Sequence, residues 1–252
     1  MSARPRVGLF VTCLVDLVRP QVGFASVKLL EAAGCDVAVP ATQTCCGQPA
    51  WNAGADRDAK EIARNVIAAF EGFDYVVAPS GSCAGMIKRH YPEVFEKDAA
   101  WLPRARALAA KTHELLSFLV KVRGMTGVAA SYAGKVCYHD SCSSLREMGV
   151  KAEPRALLAS VAGTSVTELA DPQVCCGFGG LFSVKYPEIS ERMADDKIAD
   201  VRNTGADTLL GGDLGCLLHL AGRMQRQGKP LKVRHVAEVL ADMGGEKALG
   251  EP

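Results

Sequence analysis

The sequence predicts an α/β protein made of two pseudo-symmetric βαβ, Rossmann-like lobes with short parallel sheets. Apolar strand-like runs alternate with amphipathic helical runs, and the triplet Cys-Cys-Gly occurs twice, at Cys45-Cys46-Gly47 and Cys175-Cys176-Gly177. The elements around each triplet also come in the same order. Cys13 lies 32 positions before Cys45 and Cys142 lies 33 before Cys175, while Asp74 to Cys83 and Asp207 to Cys216 are both 9. Agreement at this level marks an internal repeat.

In the first repeat, residues 7–12 read as a buried strand ending at Cys13, and residues 22–33 as a helix closed by Gly34. A second strand over 37–40 leads to Cys45-Cys46-Gly47. A helix over 55–70 precedes a third strand over 73–79, which runs into Gly81-Ser82-Cys83-Ala84-Gly85. In the second repeat the strand is 136–140, followed by Cys142. Next come a helix over 154–162, a strand over 165–169 and Cys175-Cys176-Gly177. A helix over 187–202 and a strand over 205–212 complete the repeat and deliver Cys216.

Each half closes on a helical stretch, 112–119 and 234–240, in which His113 and His235 read as capping or packing residues. The Gly, Ala, Ser and Thr content of residues 124–134 reads as a linker, giving an N-terminal repeat over 1–123 and a C-terminal repeat over 135–244. The tail after Gly244 reads as disordered.

Composition narrows the function classes. The 252 residues are 48% hydrophobic and 23% charged with a formal net charge of +1, so no basic excess points to nucleic acid. No transmembrane segment is expected, because no stretch approaches the roughly 20 apolar residues a span needs. The apolar start is short and interrupted by Cys13 and Asp16, and reads as a first strand rather than an export signal. The expected location is the cytoplasm.

Ten cysteines in a reducing compartment point to metal binding or redox chemistry rather than a disulfide framework. Cys35 and Cys137 sit in apolar runs and read as small core residues. The other eight fall on loops at the carboxyl ends of parallel strands, which gather on one sheet edge. Cys13, Cys45, Cys46 and Cys83 are therefore expected to converge in one lobe, and Cys142, Cys175, Cys176 and Cys216 in the other. Several thiolates held together repel, so a metal or cluster must offset their charge. Iron–sulfur clusters and tetrahedral zinc both take such a set, and composition does not separate them. The surrounding glycines favour a larger ligand, or simply build tight turns.

This doubled pattern resembles the cysteine-rich CCG-domain family found in heterodisulfide reductase and in iron–sulfur subunits of glycolate and glycerol-3-phosphate oxidising enzymes. A two-repeat chain with no ferredoxin-type cysteine run is most similar to the lactate-utilisation protein A group. The resemblance covers residues 7 to about 240 and implies an iron–sulfur oxidoreductase subunit transferring electrons in L-lactate oxidation to pyruvate. It also implies partner iron–sulfur subunits, and a cluster, 4Fe-4S in type, held by the eight loop cysteines. Zinc in one site, a zinc-held scaffold, and a heterodisulfide reductase-like thiol/disulfide oxidoreductase are the alternatives.

The sequence departs from that family at one point. Heterodisulfide reductase-type repeats end in Cys-x-x-Cys, whereas Met86 follows Cys83 and His219 follows Cys216 at the corresponding places. The departure counts against that enzyme's five-thiolate, non-cubane cluster. His219 either replaces the missing thiolate or is satisfied within a buried helix. His139 and Asp140 read as a proton relay, as donors beside the thiols, or as ordinary strand-end polar residues. Arg146 and Arg192 are near the second cysteine site in sequence, without a motif that fixes a carboxylate. No nucleotide fingerprint is present.

Overall fold

The computed structural model describes residues 4–251. Its first lobe runs β1 (Arg6–Leu9), α1 (Cys13–Val18), α2 (Pro20–Ala32), β2 (Asp36–Ala38), α3 (Gln48–Asn52), α4 (Asp56–Phe70), β3 (Tyr75–Ala78) and α5 (Gly81–Gly85). A π-helical segment, Met86–His90, then leads to α6 (Tyr91–Val94), α7 (Leu102–Ala110), β4 (Thr112–Glu114), α8 (Leu115–Ser117) and a second π-helical segment, Phe118–Val122. The second lobe runs β5 (Ser131–His139), α9 (Cys142–Arg146), α10 (Ala152–Leu158), β6 (Ala162–Thr167), α11 (Phe182–Lys185) and α12 (Pro187–Asn203). It ends with β7 (Thr208–Gly211), α13 (Leu214–Arg226), β8 (Lys232–His235) and α14 (Val236–Leu240).

Each lobe holds a four-stranded, all-parallel sheet, ordered β2-β1-β3-β4 and β6-β5-β7-β8, so the two sheets share one topology. The central strands carry near-continuous apolar runs, with Val7, Leu9, Val76, Val77, Leu209 and Leu210 all buried. That is the pattern of parallel strands covered on both faces by helices.

The fourth strand of each sheet departs from the expectation of helix alone at both places. Thr112–Glu114 pairs with β3 and Lys232–His235 pairs with β7. A residue at the end of each strand then starts the helix. The Glu114 carboxylate accepts from the Ser117 N–H at 2.8 Å, and His235 Nδ1 accepts from the Ala237 N–H at 3.2 Å. Glu238 closes a capping box on the His235 N–H at 3.0 Å.

Two other boundaries shift. β5 begins at Ser131 and so takes in the last residues of the stretch 124–134 expected as a linker. The tail expected to be disordered returns to the sheet edge, where Leu249 bridges Val233 antiparallel and both side chains are buried.

The lobes share one core. Leu29, Leu30, Leu115, Phe118 and Leu119 of the first pack with Tyr138, Leu157, Leu158, Val236 and Leu240 of the second. The packing is reciprocal: α14 lies on α2, and α8 lies on α10. Buried Glu238 anchors this face by accepting from Arg19 Nε at 2.9 Å and Nη2 at 2.7 Å. The same reciprocity brings α5 against α9 and α1 against α13, the four helices whose first turns carry Cys83, Cys142, Cys13 and Cys216.

Candidate metal centre

The βα topology delivers three loops to each site. In the first lobe Cys13 opens α1, whose cap Thr12 accepts from the Val15 N–H at 3.3 Å, and Cys83 is in the first turn of α5, capped by Ser80 at 3.3 Å. Cys142 and Cys216 take the same places in α9 and α13. Cys83 and Cys216 thus lie inside the first turn of a helix, among its free amides.

The third loop carries the Cys-Cys-Gly triplet, and its glycine is obligatory. Gly47 and Gly177 both adopt left-handed backbone, with φ of 83° and 86°. A β-carbon at Gly177 would also stand 2.5 Å from the Ser190 carbonyl oxygen. This turn aims amides back at the thiols: the Gly47 N–H donates to Cys45 Sγ at 3.5 Å and the Gly177 N–H to Cys175 Sγ at 3.4 Å.

The structure brings all eight cysteines together as two quartets. Cys13 donates to Cys45 across 4.0 Å, Cys45 neighbours Cys46, and Cys46 neighbours Cys83. In the second lobe the chain is Cys142, Cys175, Cys176 and Cys216. Cys35 and Cys137 lie instead in the packed cores.

Hydrogen bonding favours the thiolate form at Cys45 in the first quartet and at Cys175 in the second. Hydrogen bonds from Cys13 and Cys46 lower Cys45, and hydrogen bonds from Cys142 and Cys176 lower Cys175. The same bonds, with burial, hold Cys13, Cys46, Cys142 and Cys176 above the ordinary thiol value. Cys216 is also raised, because burial and the Asp213 carboxylate outweigh its hydrogen bond from Cys176. Four thiolates in one quartet therefore need a positive partner, and soft sulfur donors fit iron or zinc.

Each site borrows a wall from the other lobe. A cavity of about 310 Å³ beside Cys13, Cys45, Cys46 and Cys83 is closed by Phe178, Gly180 and Leu181 from the second triplet loop. A cavity of about 210 Å³ beside Cys142 and Cys216 is closed by Gln48 and Asn52, which follow the first triplet. Asp213 lines both. Its buried carboxylate accepts from Ser80 Oγ at 3.2 Å, Ser82 Oγ at 3.0 Å, the Ser82 N–H at 2.9 Å and Ser141 Oγ at 3.3 Å. One carboxylate so fastens two helix starts of opposite lobes, which the sequence did not signal.

The remaining candidates separate clearly. His219 Nε2 lies 3.2 Å from Ser190 Oγ, which itself donates to the Gly177 carbonyl, so this ring is satisfied within the helix packing. Met86 is buried in the apolar core beside α5. Asp140 is held bidentately by Arg155 at 2.8 Å on both oxygens, Arg146 donates to the Gln173 carbonyl, and exposed Arg192 pairs with Asp196. His139 is different: 1% exposed, it has a ring nitrogen within 4.8 Å of the sulfurs of Cys176 and Cys216. Burial, and then the Lys197 ammonium, lower it to about 4 and keep the ring neutral.

Comparison with known proteins places this arrangement. The profile of the cysteine-rich domain, CCG, matches residues 7–88 and 136–221, one match per lobe. Lactate utilization protein A of Geobacillus sp. (strain WCH70) is 51% identical over 235 residues, covering 93% of this chain and 98% of that protein. The chain belongs to the cysteine-rich domain family, in its lactate utilization protein A branch. A second member of the branch, from Exiguobacterium sp. (strain ATCC BAA-1283 / AT1b), is 49% identical over 238 residues, covering 94% and 97%. The fold is also similar to a crystal structure of a hypothetical protein from Helicobacter pylori, with a TM-score of 0.68 at 10% identity. That match covers 98% of this chain, which spans 52% of the other. Among the described residues no helix is long and apolar enough to cross a membrane.

Proposed function

We propose that this family member is an iron–sulfur oxidoreductase subunit that carries electrons in the oxidation of L-lactate to pyruvate, working with other subunits of a lactate-utilisation system. Cys13, Cys45, Cys46 and Cys83 would hold one centre and Cys142, Cys175, Cys176 and Cys216 the other. The observation that carries the reading is the pair of thiol quartets, each gathered from three loops and facing the other lobe across a shared wall. The names of the relatives supply lactate as the substrate class.

When bound, an iron–sulfur cluster supplies reversible one-electron chemistry. The chain's own residues shape its surroundings. Amides of Gly47, Gly177 and Phe178 donate to cysteine sulfur, and Phe178 and Leu181 keep the first site apolar. Hydrogen bonds to sulfur and exclusion of water are the protein's means of tuning such a centre. A cytoplasmic location fits this reading.

One observation favours zinc in the second lobe. His139, Cys176 and Cys216 form a mixed nitrogen and sulfur group, a set common at structural zinc. Iron, zinc and acid-labile sulfide content of protein purified without oxygen decides between them. Iron and sulfide in near-equal amounts are expected; zinc without sulfide would establish a scaffold instead.

A further inference from the structure

The two repeats align closely enough to compare what stands three residues before the first cysteine of each. In the first lobe that residue is Phe10, fully buried and packed on Phe70 with ring centroids 5.5 Å apart. In the second it is His139, the last residue of β5. A phenyl ring needs no polar partner. An imidazole does.

His139 has none among the described residues. Neither Nδ1 nor Nε2 meets a hydrogen-bond partner among the described residues, and both are shut off from solvent. Buried polar atoms are nearly always paired, and an exception calls for a missing partner. The ring is aimed at the thiols: one of its nitrogens and the sulfurs of Cys176 and Cys216 lie within 4.8 Å of one another, and all three residues are buried. His219, also near this site, already has Ser190, and His90, which lines the cavity beside Cys142 and Cys216, already has Glu93 at 2.8 Å.

We propose that His139 is a nitrogen donor to the metal centre of the second lobe, which gives the two lobes chemically different centres. The assignment rests on the metal-binding reading above. The first centre would then have thiolates alone, and the second a neutral imidazole beside its thiolates. Histidine in the ligand set raises the potential of an iron–sulfur centre relative to an all-cysteine set. Electrons entering the molecule would therefore settle on the second lobe, and the pseudo-symmetric fold would have a direction.

The test begins with iron, zinc and sulfide content of protein purified without oxygen. Where iron and sulfide are present, pulsed EPR of the dithionite-reduced protein is expected to show a coupling of the size of a directly bound nitrogen. The coupling should change when histidine carries the heavier nitrogen isotope, survive in His219→Ala and vanish in His139→Phe, which copies the first lobe. The higher of two reduction potentials should fall in the same variant. The isotope comparison uses the unaltered chain, and His139→Gln serves as a second variant if phenylalanine does not fold.

Iron and sulfide without a histidine coupling, or a coupling that persists in His139→Phe, would overturn the assignment and leave the electron-transfer reading standing. Zinc without sulfide would sink the electron-transfer reading and move the test to X-ray absorption at the zinc edge. There a nitrogen lost in His139→Phe supports the donor role, and an all-sulfur shell overturns it. Absence of any metal overturns both.

Discussion

Gly81 of α5 lies directly against Ser144 of α9, so that a β-carbon on Gly81 would stand 2.7 Å from the backbone nitrogen and Cα of Ser144 and 2.1 Å from its hydroxyl. The contact joins the helix that carries Cys83 to the one that carries Cys142. It limits how closely those two helices approach.

Gly81→Ala is therefore expected to destabilise the protein by about 1–3 kcal/mol, the usual cost of overpacking a tight contact. Adding Ser144→Ala removes only the hydroxyl, and the backbone atoms at 2.7 Å remain. The double variant should recover little. Denaturant unfolding of the two variants checks this, and full recovery would show that the hydroxyl alone set the distance.

Stability should also depend on Glu114. Burial pushes its carboxyl up to about 7 from 4.5, against the opposing Ser117 N–H. An unfolded chain thus loses this proton near pH 4.5, while the folded chain keeps it until about 7. The group's contribution is complete below the unfolded value, falls as pH rises through that window and is flat above it. At about 1.4 kcal/mol per pH unit the loss is about 3 kcal/mol. Glu114→Gln keeps an acceptor for Ser117 and should flatten that part of the profile. Urea unfolding of both proteins at the two ends of the window measures it; identical profiles would remove Glu114 as the cause.

Cysteine replacement should divide by position. Cys176→Ser is expected to strip metal from the second lobe and destabilise it, because binding energy at such a site is also folding energy. Cys35→Ser, in the core away from both quartets, should cost about 1–3 kcal/mol and leave the metal content unchanged. Metal analysis with thermal unfolding separates the two, and equal metal loss would refute the division.

The proposed electron-carrier role predicts a further asymmetry. The isolated metal-loaded protein should be reduced by dithionite but not by L-lactate, with lactate-dependent reduction restored by partner subunits. Anaerobic mixing followed by visible absorbance reads it. Bleaching by lactate alone would place the substrate site on this chain.

Much of the site was legible because it is local. A cysteine at the end of a strand and a Cys-Cys-Gly turn after the next strand are neighbours wherever parallel strands pair, so matching intervals in two repeats imply two quartets. Gly47 and Gly177 were legible for the same reason, as turns that only glycine makes easily. The fourth strands were less so. Thr112–Glu114 and Lys232–His235 are short, and each leads without a break into a helix, so their apolar pattern reads as helix alone.

The sequence by itself determined the repeat, the βα order and which eight thiols fall on strand-end loops, since these follow from patterning within each lobe. Only the tertiary structure decided the rest. For His219, one turn beyond Cys216, the pattern leaves ligand and satisfied packing residue both open, and Ser190, 29 residues away, decides for the second by occupying its nitrogen. For His139 the pattern leaves relay, donor and ordinary strand-end residue all open, and among the described residues no segment arrives to pair its ring. Asp213 ties Ser82 from 131 residues away, and Gly81 meets Ser144 across the interface between lobes. Whether a buried polar atom is satisfied, and how closely two helices approach, depend on what distant segments bring to the same place. Periodicity within one segment carries no record of that.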